Sequence, residues 1–181
     1  MKILVPLADG FEEIEALATV DVLRRADVEV VTAATAPGPV EGRSRIKVTP
    51  DALLEDVKDD DFDVIVLPGG MPGTTNLAED NRVIEIVKRM DEEKKIVAAI
   101  CAATIVLKKA GVIRGRAVTC HPSVRKELSK EALSNDRVVV SENLVTSRGP
   151  GTAIEFALKL VELLVGNRMS VQIRKGLLAR V

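Results

Sequence analysis

Four short stretches hold residue types that can do chemistry, and each follows an apolar run. Cys101 stands in AAICAATIVL, between a β-branched run and a helical one. A cysteine on a sharp strand-to-helix turn is a nucleophile elbow, which tolerates only small residues two places before and two after. Ala99 and Ala103 occupy those places. An elbow predicts a positive φ at Cys101. It also puts the thiol at a helix N-terminus, where the dipole lowers its pKa. The bland alternative is an inert buried thiol, the usual fate of a free cysteine. His121, in VTCHP, is the single histidine of the chain. Alone it would read as structural. A Cys and a His ending neighbouring strands read instead as a nucleophile and its partner. Side chains alternate along a strand, so a cleft-facing His121 turns Cys120 away.

Two further stretches complete the set. Glu12, Glu13 and Glu15 in ADGFEEIEA fall at the start of a helix. They either offset the helix dipole or send one carboxylate into the cleft. Pro68, Gly69 and Gly70 in LPGGMPGT make a bend without side chains, through which backbone N–H groups can approach a ligand. A plain turn is the other reading. No GxGxxG spacing or Walker lysine is present, which rules out a nucleotide site. One histidine and two cysteines do not make a zinc site, so no metal or other cofactor is expected.

The elements that must position these residues follow from the pattern. Apolar runs at Lys2–Leu7, Val28–Ala33, Val64–Leu67 and Ile96–Ile100 predict buried strands, and Ile46–Thr49 a short extra one. Arg116–Thr119, Arg137–Val140 and Asn143–Ser147 are further strand candidates. Helices are predicted over Ile14–Ala26, Arg82–Glu92, Ala102–Ala110, Thr152–Val165 and Ser170–Leu178, with Gly111 and Gly166 as stops. Strands apolar on both faces, alternating with helices, predict a doubly wound α/β sandwich with a mostly parallel sheet. Ligands bind beyond the carboxyl ends of such strands, where the four stretches lie.

Composition narrows the class. The 181 residues carry 26 basic and 27 acidic side chains, a balance that argues against nucleic acid as the main partner. No apolar run approaches the ~20 residues of a membrane span. Two cysteines make no disulfide framework, which points to a reducing, cytoplasmic setting. One α/β domain over residues 1–181 is expected.

GFEEIEA, DVLRRA, VLPGG, AAICAA, CHP and TSRGPGTAIEFAL together resemble the ThiJ/PfpI superfamily, most closely its Parkinsonism-associated deglycase branch. The resemblance implies a flavodoxin-like three-layer sandwich and a homodimer. By motif position Cys101 is the nucleophile, Glu15 its protonated carboxyl partner and His121 the nearby histidine. Gly69, Gly70 and Ala102 become the oxyanion and substrate-binding positions. Arg25, Arg45 and Arg148 are candidates for anion binding or dimer contacts. The implied activity is cofactor-free conversion of reactive dicarbonyls, as a glutathione-independent glyoxalase or a deglycase of glycated protein. The alternative is an oxidative-stress sensor or redox chaperone working through oxidation of Cys101. The peptidase-like branch carries a histidine directly after the cysteine; Ala102 stands there and argues against an intracellular cysteine peptidase.

Overall fold

The computed structural model describes residues 1–58, 61–129 and 131–180. The chain opens with β1 (Lys2–Leu7), α1 (Glu13–Arg24) and β2 (Glu29–Ala34). Three short strands follow: β3 (Val40–Glu41), β4 (Lys47–Val48) and β5 (Ala52–Leu53). Next come β6 (Val64–Leu67), α2 (Gly73–Glu79), α3 (Asn81–Glu92), β7 (Ile96–Ile100) and α4 (Thr104–Ala110). The rest is β8 (Ala117–Val118), β9 (Ala132–Leu133), β10 (Val138–Ser141), β11 (Leu144–Ser147), α5 (Ala153–Leu164) and α6 (Asn167–Gly176). No helix among the described residues is long and apolar enough to cross a membrane.

The main sheet has the order β10-β11-β7-β6-β1-β2-β5. Every pairing in it is parallel except β10 with β11. The central strands are buried on both faces, as their unbroken apolar runs require: Ile3, Leu4, Val64, Ile65, Val97 and Ala98 are sealed from solvent. α1, α5 and α6 pack in succession, and α2, α3 and α4 form a second packed group. The expected α/β sandwich is therefore present. The short strand expected near Ile46–Thr49 is β4, which pairs antiparallel with β3 in a hairpin.

One expectation about topology is corrected. The strand before His121 is not beside β7. β8 pairs with β9 in a separate two-stranded sheet, and β11 takes the place next to β7, with Val145 opposite Ala98. The reason is a tight β10–β11 hairpin, turned through Glu142 at φ 55°. It lays four buried residues of β11 along β7, whereas β8 has two residues and only Val118 of them is buried. β8 is tied on from outside: the Thr119 N–H donates to Thr146 Oγ1 of β11 at 2.9 Å. The pattern also gave no sign of α2, β5 or β9, all short.

Candidate active site

Cys101 follows β7 directly and begins a single 3₁₀ turn, Cys101–Ala103, that leads into α4. Its φ is 65°, the left-handed conformation that an elbow requires. For a residue with a Cβ this costs about 1–3 kcal/mol and persists only where the surroundings enforce it. They do. Ala99 and Ala103 are fully buried against the turn, and the His121 N–H donates to the Cys101 carbonyl at 3.2 Å. The Thr104 hydroxyl donates across to the Thr119 carbonyl at 3.1 Å.

The backbone N–H groups of Ala102 and Gly70 lie near the Cys101 sulfur and act to lower its pKa. Both bend glycines are required, for different reasons. A Cβ on Gly69 would lie 2.6 Å from Glu15 Oε2 and 2.8 Å from Cys101 Cβ. Gly70 has φ 94°, and a Cβ there would lie 2.5 Å from the Glu12 nitrogen and the Gly10 carbonyl oxygen.

The three acids of the first turn divide three tasks. Glu12 caps α1, accepting from the Glu15 N–H at 2.8 Å. Glu13 reaches away to the β3–β4 loop and accepts from the Ser44 N–H at 2.7 Å. Glu15 is sealed from solvent and turns into the cleft, where Oε2 accepts from the Gly69 N–H at 2.8 Å. Its other oxygen, Oε1, has no nitrogen or oxygen partner among the described residues.

Burial raises the Glu15 carboxyl to about 7. Hydrogen bonds from Cys101 and Gly69 oppose the rise, Glu12 adds to it, and the Arg43 cation opposes it. The Cys101 thiol is pushed up too, first by burial and then by the Glu15 charge and hydrogen bond. The expected lowering by a helix N-terminus is thus corrected. α4 begins only at Thr104, and two N–H donors do not offset desolvation. With both groups raised, the thiol keeps its proton at neutral pH and the Glu15 carboxyl titrates there.

His121 Nδ1 lies 2.7 Å from Ser123 Oγ and accepts from the Ser123 N–H at 3.2 Å. A backbone donor on Nδ1 leaves the ring proton of the neutral imidazole on Nε2. The ring lies close to the sulfur: a Cβ on Gly149 would sit 3.3 Å from His121 Cδ2 and 3.9 Å from Cys101 Sγ. Glu15, Gly69, Gly70, Cys101, Ala102 and His121 are therefore assembled in one place.

Cys120 is fully buried, where burial raises its pKa against the Arg125 and Arg148 cations. Both cysteines are free. Arg25 is engaged by Asp21 on its own helix at 2.8 Å. Arg45 sits on the β3–β4 loop with φ 67°. Arg148 lines an open cleft of about 260 Å³ together with His121 and Gly149. Arg43, Ser123 and Gly149 were not singled out as site residues. Ser123 lies two residues after the histidine and Gly149 within TSRGPGTAIEFAL, whereas nothing local marks Arg43.

The DJ-1/PfpI family model matches residues 1–163. The chain belongs to this family. It is 43% identical over 178 residues to Protein dj-1beta of Drosophila melanogaster, covering 97% of this chain and 95% of that protein. It is 40% identical over 177 residues to Glutathione-independent glyoxalase DJR-1.2 of Caenorhabditis elegans, covering 97% and 94%. Among solved structures, oxidized Toxoplasma gondii DJ-1 superposes with a TM-score of 0.95 at 36% identity, over 99% of both chains. Two Arabidopsis thaliana DJ-1 homologues match along 98% of this chain, which spans only 41% and 46% of their length.

Proposed function

We propose that this chain is a cofactor-free, cysteine-dependent enzyme that acts on reactive dicarbonyls, converting methylglyoxal to lactate without glutathione. Glycated protein is the bulkier substrate of the same chemistry. The observation that carries the reading is the sealed Glu15 carboxyl beside the Cys101 sulfur, a carboxyl that titrates near neutrality next to a thiol that keeps its own proton. The glyoxalase name of the Caenorhabditis elegans relative supports it at the level of the family.

The steps balance without an external oxidant. The sulfur adds to the aldehyde carbon, and the thiol proton goes to the new oxyanion, which the Gly70 and Ala102 N–H groups flank. Glu15, as a carboxylate, takes the C1 hydrogen as a proton and returns it to C2. The hydroxyl proton passes from the C1 oxygen to the C2 oxygen. C1 is thereby oxidised to a thioester and C2 reduced to an alcohol. Water cleaves the thioester, releasing lactate and restoring the thiol. His121, protonated on Nε2, orients the substrate as a donor and is not the base. Purified protein in thiol-free buffer should form lactate from methylglyoxal, and Cys101→Ala should form none. Absence of lactate from the native chain sinks the reading.

A second reading, a cytoplasmic redox sensor or chaperone, draws on the oxidized state of the similar Toxoplasma gondii structure. Peroxide would supply the oxygen for a Cys101 sulfinate, held by the same two N–H groups and the Glu15 proton. Sulfinate formation with no lactate would favour it.

A further inference from the structure

We propose that the cleft beside Cys101 selects dicarbonyls that carry a carboxylate, with Arg148 as the residue that takes it; this rests on the enzymatic reading above. His121, Arg148, Gly149, Gly151 and Thr152 line the cleft, and a Cβ on Gly149 would sit 3.9 Å from the Cys101 sulfur. At about 260 Å³ it lies just below the usual range of small-molecule pockets, ~300–1,000 Å³. A five-carbon substrate bound through its aldehyde carbon would extend into it.

The wall of this cleft favours an anion. No acidic side chain among the described residues lines it. Its two arginines are treated differently. Arg137 is neutralised, donating to Glu155 Oε2 at 2.6 Å and to the Gly151 carbonyl at 2.9 Å. Arg148 has no acidic partner among the described residues; its one side-chain bond runs from Nη1 to the Asn135 carbonyl at 3.3 Å. That bond and the Arg148 N–H, which donates to the Arg137 carbonyl at 3.2 Å, hold the half-buried residue in place. The free edge of the guanidinium fork is left for a planar, bidentate acceptor, which is a carboxylate. His121 adds an Nε2–H donor and no negative charge. By contrast, the groove between α5 and α6 sets Glu155 and Glu162 against Lys159 and Arg174 and has no such bias.

A matched pair of α-oxoaldehydes tests this: γ,δ-dioxovalerate and its methyl ester, which differ only in the charge of the far end. Formation of α-hydroxyglutarate and of its monomethyl ester would be followed in thiol-free buffer. The native protein should prefer the acid by about tenfold or more in kcat/KM, the discrimination of one charge-assisted pair. Salt should shrink this preference, because Arg148 is partly exposed. In Arg148→Gln the acid-to-ester ratio should fall to near one, and Arg148→Lys should keep part of it. A native ratio of one or less overturns the proposal whatever the variants do, as does a preference unchanged in Arg148→Gln. Turnover of the ester without preference removes only the carboxylate subsite. Failure of both substrates and of methylglyoxal removes the enzymatic reading and this proposal with it.

Discussion

Replacing Glu15 by Gln probes the buried pair, and the size of the effect follows from burial. The carboxyl has no solvent exposure and titrates at about 7 in place of its ordinary 4.5. That gap corresponds to about 3 kcal/mol, at ~1.4 kcal/mol for each tenfold in proton affinity. The folded chain binds this proton more tightly than the unfolded chain does. Its contribution to stability is fully present below about pH 4.5 and is lost as pH rises through about 7. Glutamine keeps the size and an oxygen for the Gly69 N–H, and it does not titrate. The native chain should therefore lose about 3 kcal/mol relative to Glu15→Gln between pH 4.5 and 8. Urea unfolding of both proteins across that range gives the difference, in which the titrating groups that do not interact with Glu15 cancel. Turnover of methylglyoxal should fall a hundredfold or more in the variant, since an amide cannot carry the proton. Two stability curves that run parallel with pH would show that Glu15 does not titrate there, and its role as the proton carrier would go with it.

Limited iodoacetamide or peroxide treatment should modify Cys101 ahead of the fully buried Cys120, with peroxide stopping mostly at sulfinate; equal labelling, or a dominant intramolecular disulfide, contradicts the site. Gly69→Ala should abolish activity through the contact its Cβ makes 2.6 Å from Glu15 Oε2, and an active, stable variant would show that the bend can yield. The homodimer should seat on α1 and the neighbouring β3–β4 loop, where Ile14, Leu17 and Ile46 stand exposed. Light scattering at micromolar concentration should give the dimer mass for the native chain and a monomer for Ile14→Arg, and a native monomer refutes it.

What the sequence made legible was set by burial. β1, β6 and β7 lie where their apolar runs end, because a strand covered on both faces cannot hold a polar residue without a partner. The elbow was legible for the same reason: Ala99 and Ala103 are small because a larger side chain would meet the turn. The division of labour among Glu12, Glu13 and Glu15 was not. Local pattern allows all three to serve the helix dipole. It is Ser44, thirty-one residues away, that claims Glu13, and Gly69, fifty-four away, that claims Glu15. The resemblance picked out Glu15, and spacing alone had no means to do so.

The two corrections share a cause. The neighbour of β7 and the thiol's proton affinity are each decided by competition between a local term and a distant one. Locally, His121 follows the next strand after Cys101, and pairing of those strands is the short connection. A hairpin formed later in the chain wins the place because β11 buries four residues beside β7. Locally again, a cysteine ahead of a helix is exposed to the dipole, an effect of ~0.3–1 kcal/mol near the surface that fades within a turn. The 3₁₀ turn puts three residues between β7 and α4, and the packed cleft removes water from the sulfur. Desolvation of a buried ionisable group reaches several pKa units, so it outweighs the dipole. A thiol placed this way does not rely on being a thiolate at rest. It relies on a neighbour that can take its proton as the bond forms, and the buried Glu15, titrating near neutrality, is such a neighbour.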